Sequence, residues 1–193
     1  MKKKLNDRPD MIEKLERMEQ SVKEVVRILE FAKVYEQLGV EKLVEMNVSR
    51  VVDESAGMFS DLPFKVVNDC HGLTVLSDSF LQQLFYNLID NTRKYGQKTK
   101  LLRIFYEKAA ENDLKLIIED DGVGIPLENK EQLFKRGFRT GGSTGFGLFL
   151  CKNMLEVYGW VVQENGEAGM GARFVITIPK KNKNGQVNYQ IES

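Results

Sequence analysis

The sequence predicts a two-layer α/β sandwich, in which helices cover a mixed β-sheet, preceded by one long amphipathic helix. Two observations support this fold class. Short apolar runs bounded by turn residues alternate with longer segments of helical periodicity, and neighbouring runs are close enough along the chain to pair as hairpins backed by helices. The length of 193 residues suits one α/β domain with a helical arm.

The elements are predicted in the following order. The segment from Asp10 to Leu38 carries apolar residues at gaps of three and four and stops before Gly39, which predicts a long amphipathic helix. Further helices are expected at 49–58, 78–95 and 147–158. Strands are expected at 64–68, 73–76, 101–107, 114–120, 160–164 and 173–178.

The helix ending at Tyr95 contains the first functional pattern. Its buried stripe is predicted to consist of Leu81, Leu84, Phe85, Leu88 and Ile89. Asn87, Asn91 and Lys94 gather on another side of the same helix. Two amides and an ammonium in one row can hold a hard cation with its phosphates. The alternative interpretation is a helix whose polar residues only face water.

Two glycine-rich turns follow this helix. In the run from Leu116 to Pro126, an apolar stretch leads to Asp120 and then to closely spaced glycines. The Asp120 carboxylate can accept a hydrogen bond from an exocyclic amine, and the glycines let a ligand approach the backbone. The run from Thr140 to Leu150 places glycines at a helix N-terminus, which favours an anion site. The alternatives are an ordinary Asp-Gly turn and a flexible linker.

These segments, in this order and spacing, resemble the nucleotide-binding boxes of the GHKL ATPase/kinase superfamily. They are most similar to the catalytic domain of sensor histidine kinases of two-component systems. The N box corresponds to 87–95, the first glycine box to 120–124, the phenylalanine-bearing F box to 133–138 and the second glycine box to 145–148. Gly169 and Gly171 precede the closing strand, as in that family. The resemblance spans 46–181 and implies the Bergerat ATP-binding fold.

The resemblance implies ATP and Mg²⁺ as ligands. Asn87 and Asn91 would hold the metal and, with Lys94, form the catalytic set. Tyr95 would pack beside the base and Asp120 would accept from its amine. The lid over the nucleotide would run from 126 to 144. The implied nucleotide contacts are Asn91, Lys94, Tyr95, Asp120, Gly122, Gly124, Ile125, Arg139, Thr144, Gly145, Phe146, Gly147 and Leu148.

The residue at position 87 separates kinases from hydrolases in this superfamily. Gyrase-like and MutL-like ATPases carry there a Glu that activates water, whereas this chain has Asn87. An amide cannot take a proton from water at neutral pH, which favours phosphoryl transfer to a protein acceptor. Two positions depart from the usual pattern: Thr92 replaces a frequent Ala, and Asp121 stands where Asn is common.

The N-terminal arm, residues 1–45, resembles the second helix of the dimerisation and phosphoacceptor hairpin of histidine kinases. This implies a homodimer in the full-length kinase and a response regulator receiver domain as partner. The alternative is a helix docked on its own domain. The only histidine, His71, is predicted to lie in a turn, so we expect a truncated kinase without its acceptor histidine. Residues 182–193 are expected to form a polar C-terminal tail.

Composition is consistent with this interpretation. Lys and Arg number 28, as do Asp and Glu, which gives no indication of nucleic acid or an anionic membrane as partner. Cys70 and Cys151 lack metal-ligand and redox spacing, which predicts reduced thiols in a cytoplasmic protein. The sequence shows no membrane-spanning run and no signal peptide, although a parent protein can be anchored through upstream segments.

Two other functions remain open at this point. A serine kinase of the anti-sigma type shares the fold, but the long N-terminal helix argues against it. The second alternative is a nucleotide-regulated binding module without transferase activity. The intact Asn91, Asp120 and glycines argue against this alternative. No P-loop or protein-kinase catalytic loop is present in the sequence.

Overall fold

The secondary structure follows the predicted order closely. The structure is a computed structural model that describes residues 9–109, 112–138 and 145–192. The helices are α1 (Pro9–Gln37), α2 (Val48–Gly57), α3 (Phe80–Tyr95), α4 (Leu127–Lys130) and α5 (Gly147–Tyr158). The strands are β1 (Val44–Asn47), β2 (Lys65–Asp69), β3 (Leu73–Ser77), β4 (Leu101–Lys108), β5 (Leu114–Asp120), β6 (Val161–Glu164), β7 (Arg173–Ile178) and β8 (Tyr189–Ile191).

The strands form two sheets. The larger has the order β2-β4-β5-β7-β6, with β2 parallel to β4 and the other pairs antiparallel. The smaller has the order β1-β3-β8 and is antiparallel. The predicted mixed α/β architecture is therefore confirmed. The consecutive strands β2 and β3 do not form a hairpin, because each pairs in a different sheet.

The core lies between the larger sheet and the helices α2, α3 and α5. The predicted apolar stripe of α3 is confirmed, because its five members are at most 1% exposed. They belong to one buried apolar cluster with alternate residues of β4 and β5, such as Ile104 and Leu116, and with Met154 of α5. This packing fixes α3 on the sheet and leaves its polar side for the site described below.

The C-terminal segment is part of the fold, contrary to the expectation of a polar tail at 182–193. Strand β8 pairs with β3, and Tyr189 is buried. The Tyr189 hydroxyl donates to the Asn112 carbonyl at 2.6 Å, while the Lys180 ammonium lies 4.1 Å from the Tyr189 ring centroid. A three-residue strand has too short an alternation to be recognised without its partner. Strand β1 was missed for the same reason.

Helix α1 confirms the predicted N-terminal helix, and most of its apolar side chains are exposed. Leu15, Met18 and Val22 are between 50 and 64% exposed. Near its C-terminal end the Tyr35 ring stacks on Phe149 of α5, with centroids 6.4 Å apart. Among the described residues, no helix combines the length and the apolar character needed to cross a membrane.

A buried hydrogen bond joins the start of α3 to the end of α5. Asp78 is 2% exposed, and its Oδ1 accepts from the Phe80 N–H at 3.0 Å and from the Tyr158 hydroxyl. Burial raises the pKa of Tyr158 well above its usual range, so this hydroxyl remains a donor at neutral pH.

Tyr158→Phe is expected to lower the free energy of unfolding by about 1.5–3 kcal/mol, because it leaves a buried carboxylate with one donor fewer. Urea denaturation measures this loss. Tyr106→Phe is the matched control, because the Tyr106 hydroxyl donates to the His71 carbonyl at 3.2 Å in an exposed position. Equal losses in the two variants would contradict the assigned role of Tyr158.

Candidate nucleotide-binding site

Asn87 of α3 lies beside the start of α5, one helical turn before Asn91. Both asparagines are half-buried. The Asn87 Oδ1 atom accepts from Gln83 Nε2 at 3.2 Å and lies 4.0 Å from the position that a Cβ on Gly147 would occupy. The Asn91 amide nitrogen is buried and has no hydrogen-bond partner among the described residues. The N box and the second glycine box therefore meet at one end of the site.

Asp120 stands at the other end, enclosed by donors. It is 7% exposed, and its Oδ1 accepts from the Gly122 N–H at 2.9 Å and from the Ala172 N–H at 3.2 Å. Its Oδ2 accepts from the Thr92 hydroxyl at 3.1 Å. A buried carboxylate is tolerated only when it is hydrogen-bonded in this way. The arrangement places an anionic acceptor at the end of β5, as the sequence predicted.

The glycines around Asp120 allow backbone segments to pack closely against one another. A Cβ on Gly171 would lie 1.8 Å from the Asp120 carbonyl oxygen, and one on Gly122 would lie 2.8 Å from Asp120 Oδ1. Gly124 has a φ of +67°, and a Cβ there would meet the Glu167 carbonyl at 2.4 Å. These contacts exclude side chains at all three positions and bring the backbone of the first glycine box onto the turn before β7.

The C-terminal turn of α3 carries two other predicted residues. The Lys94 ammonium is paired with Asp90, whose carboxylate also accepts from Arg93 at 2.7 Å. The positive charge of Lys94 is thus shared with an acidic neighbour on the same helix. Tyr95, the last residue of α3, is half-buried.

Asp121, which stands where Asn is common, has a structural role. Its Oδ1 accepts from the backbone N–H groups of Lys100 and Leu101 at 2.8 and 3.0 Å. The hydrogen bond from Leu101 lowers the pKa of Asp121. This carboxylate therefore fixes the start of β4 against the end of β5.

The segment between the glycine boxes is anchored at its beginning. Lys130 of α4 forms an ion pair with the fully buried Glu164 carboxylate at 2.7 Å and also donates to the Gly166 carbonyl. Glu164 Oε1 in turn accepts from the N–H groups of Gly166 and Arg173. These contacts of Lys130 and Glu164, called the clamp below, join the predicted lid to the β6–β7 hairpin.

The F box adds an aromatic contact to this anchor, since Phe134 packs edge-on against Phe174 with centroids 6.4 Å apart. Ile125 and Leu148 are half-buried against the core. Gly145 has a φ of +70°, and Phe146 stands at the N-cap of α5. The predicted contacts Arg139 and Thr144 lie outside the described residues.

Sequence reasoning missed Thr92, Ala172 and the Lys130–Glu164 pair. Thr92 had a signal, because it departs from the small residue that the resemblance implies after Asn91. The ion pair had none, since 34 positions separate two residues whose types occur throughout the chain.

A separate, open concavity of about 630 Å³ lies beside His71. There His71 Nδ1 is 3.2 Å from Ser49 Oγ, and Asn68 donates to the Ser49 carbonyl and to Asp53. The concavity is lined by none of the predicted nucleotide contacts. His71 lies in the turn between β2 and β3, as the sequence predicted.

Comparison with known sequences assigns a family to most of this region. Residues 77–182 match the family model described as histidine kinase-, DNA gyrase B-, and HSP90-like ATPase. The sensor protein SrrB of Staphylococcus aureus (strain NCTC 8325 / PS 47) is 36% identical over 107 residues. This match covers 52% of the present chain and 18% of SrrB, so the chain corresponds to a small part of that relative.

Solved structures share the fold. A mycobacterial sensor histidine kinase, MprB, is 23% identical with a TM-score of 0.59 over 71% of this chain and 97% of its own. The histidine kinase AdeS of Acinetobacter baumannii is 22% identical with a TM-score of 0.63 over 87% of this chain and 84% of its own. Full-length ShkA, solved with AMPPNP, is 17% identical with a TM-score of 0.66 over 96% of this chain and 40% of its own.

The family match extends over more than half of the chain and includes the Asn87–Asn91 pair, Asp120 and the start of α5. The chain therefore belongs to the histidine kinase-, DNA gyrase B-, and HSP90-like ATPase family and contains the ATPase-type catalytic domain of a sensor kinase.

Proposed function

We propose that this chain binds ATP with Mg²⁺ and transfers the γ-phosphoryl group to a histidine on a helix, from which it passes to an aspartate of a response regulator. One observation carries the proposal: a single helix joins the two ends of the site. Thr92 of α3 holds Asp120 at 3.1 Å, while Asn87 lies beside Gly147 at the start of α5. Asn87 and Thr92 are five positions apart, about 7.5 Å along the helix, a distance that a ribose spans between base and phosphates.

The base end and the phosphate end suit different parts of ATP. Asp120 accepts from the exocyclic amine of adenine, and Tyr95 packs beside the ring. The backbone N–H groups from Gly145 to Leu148, at and just before the start of α5, bind phosphate oxygens together with Lys94. Arg139 and Thr144 complete the contacts from the lid. Phosphoryl transfer depends mainly on positioning and charge neutralisation, which such a site supplies.

The two asparagines fit Mg²⁺. The buried Asn91 amide nitrogen has no hydrogen-bond partner among the described residues, so a phosphate oxygen can accept from it. The amide oxygens of Asn87 and Asn91 are ligands of the type that Mg²⁺ accepts. When bound, the metal neutralises the phosphate charge. Asn87 occupies the position where a general base would activate water in hydrolases, and an amide does not perform that role. This favours transfer to a protein acceptor over hydrolysis.

The proposed partners follow from α1. We propose that α1 is the second helix of a dimerisation and phosphoacceptor hairpin and that the catalytic domain begins at β1 and includes β8. The exposed apolar stripe of α1 needs a partner helix, since water contact with such a stripe is unfavourable. We propose a homodimer, which supplies the acceptor helix, and a receiver domain, which takes the phosphoryl group. These partners are consistent with the relation of the chain to sensor proteins. We place this reaction in the cytoplasm, where ATP is available.

The nucleotide site is tested by calorimetric titration with ADP, with and without Mg²⁺. We expect Asp120→Ala to weaken binding about tenfold or more, because a charge-assisted hydrogen bond is lost. Asn91→Ala should abolish the strengthening of affinity by Mg²⁺. Asn184→Ala, an exposed asparagine in the turn before β8, is the matched control and should bind like the parent chain. No binding by the parent chain at millimolar ADP would refute the proposal.

The acceptor is tested with radiolabelled ATP and a histidine-bearing helical hairpin added in trans. We expect acid-labile phosphate on the hairpin, since phosphohistidine hydrolyses in acid, and none with Asp120→Ala. A hairpin whose histidine is replaced by Gln is the substrate control. Acid-stable phosphate on a serine of a partner would favour the serine kinase alternative, and nucleotide binding with no transfer would favour a binding module.

The Lys130–Glu164 pair is expected to position the lid. Lys130→Met should weaken ADP binding about threefold to tenfold, because a lid released from the β6–β7 hairpin must be ordered on binding. Lys130→Arg keeps the charge and should restore most of the affinity. Lys135→Met is the control, because this exposed lysine lies further along the same segment. Equal affinities for Lys130→Met and Lys135→Met would show that the clamp does not act on the nucleotide.

A further inference from the structure

The Asp120 carboxylate is held by donors from three separate parts of the fold. The Gly122 N–H comes from the turn after β5, the Ala172 N–H comes from the residue before β7, and the Thr92 hydroxyl comes from α3. Both backbone donors reach Oδ1, whereas Thr92 reaches Oδ2. Since each carboxylate oxygen has two acceptor directions, these donors leave one direction, on Oδ2.

Resting on the proposed function, we infer that Thr92 is a positioning residue that sets the base specificity of the site. It fixes the carboxylate so that the remaining acceptor direction takes one N–H donor from the base. A 6-amino purine supplies that donor. A 6-oxo purine presents an acceptor at the same place, and two acceptors facing each other repel. The site thereby selects adenine nucleotides over guanine nucleotides through a side chain that need not touch the base.

The hydroxyl, rather than the bulk of Thr92, carries this role. Thr92 is 5% exposed, and a valine would fill nearly the same volume without donating. β-Branched residues are slightly unfavourable within helices, so packing on α3 alone does not favour threonine here. Without the hydroxyl, Oδ2 would keep two open acceptor directions, and water could satisfy both in place of the base amine.

A second hydroxyl lies beside the same carboxylate. Thr99 is 7% exposed, and its Oγ1 is buried with no hydrogen-bond partner among the described residues. It lies 2.5 Å from the position that a Cβ on Gly122 would occupy, which is itself 2.8 Å from Asp120 Oδ1. An unsatisfied buried hydroxyl costs free energy that a bound polar ligand or water recovers.

The experiment compares ligands with and without the exocyclic amine. The full chain is titrated calorimetrically, in the presence of Mg²⁺, with ADP, purine riboside diphosphate and GDP. We expect the parent chain to bind ADP about tenfold more tightly than purine riboside diphosphate, because only ADP donates to Asp120. GDP should bind more weakly than both.

In Thr92→Val the preference for ADP over purine riboside diphosphate should fall to about threefold or less, with little change for purine riboside diphosphate. Thr92→Ser should restore the preference. Thr92→Ala provides a second deletion of the hydroxyl if the valine variant unfolds. Thr177→Val, on β7, is the matched control and should keep the parent preference.

The outcomes distinguish failure of the role of Thr92 from failure of the proposed function. An unchanged preference in both Thr92→Val and Thr92→Ala would overturn the inference, because a purely structural role would lower the affinity for all ligands equally. A parent chain that binds none of the nucleotides would overturn the proposed function itself, and the inference with it.

Discussion

The hydrogen bonds of the buried Asp120 carboxylate are the constraint on which the rest of the site depends. A carboxylate that is 7% exposed must be satisfied by nearby donors. Because those donors come from α3, the first glycine box and the start of β7, satisfying the charge also fixes three elements relative to one another. The glycines at 122 and 171 are required by the same constraint, since side chains there would enter the space of Asp120.

Helix α3 transmits this constraint to the phosphate end. Its apolar stripe is packed on the sheet, so its rotation about its own axis is fixed. With that rotation fixed, Thr92 reaches Asp120 while Asn87 reaches the start of α5. The same residues that make α3 a core helix therefore set the spacing between Asp120, the proposed acceptor for the base, and the N-terminus of α5, where phosphates are proposed to bind.

The sequence was sufficient where a feature is local and insufficient where it depends on tertiary pairing. The periodicity of α3 and the acidic end of β5 were visible in short windows, and both were found at the predicted positions. Strand β8 has three residues and is defined only by its pairing with β3, more than 100 positions earlier. The contact between Thr92 and Asp120 joins residues 28 apart. The departure from a small residue marks position 92, but no local pattern identifies Asp120 as its partner.

The helical arm and the phosphate end of the proposed site meet on one element. Tyr35 of α1 stacks on Phe149, which stands two residues after Gly147 on α5. Most of the other apolar side chains described on α1 are exposed, so its contacts with the core are this ring contact and those of Val34 and of Leu38, the residue after its end. Under the proposed function, a partner helix on the exposed stripe would pack against the same helix that contacts the first turn of α5 through Tyr35. The proposed packing on α1 and the proposed phosphate site at the start of α5 are therefore connected through the contact between Tyr35 and Phe149.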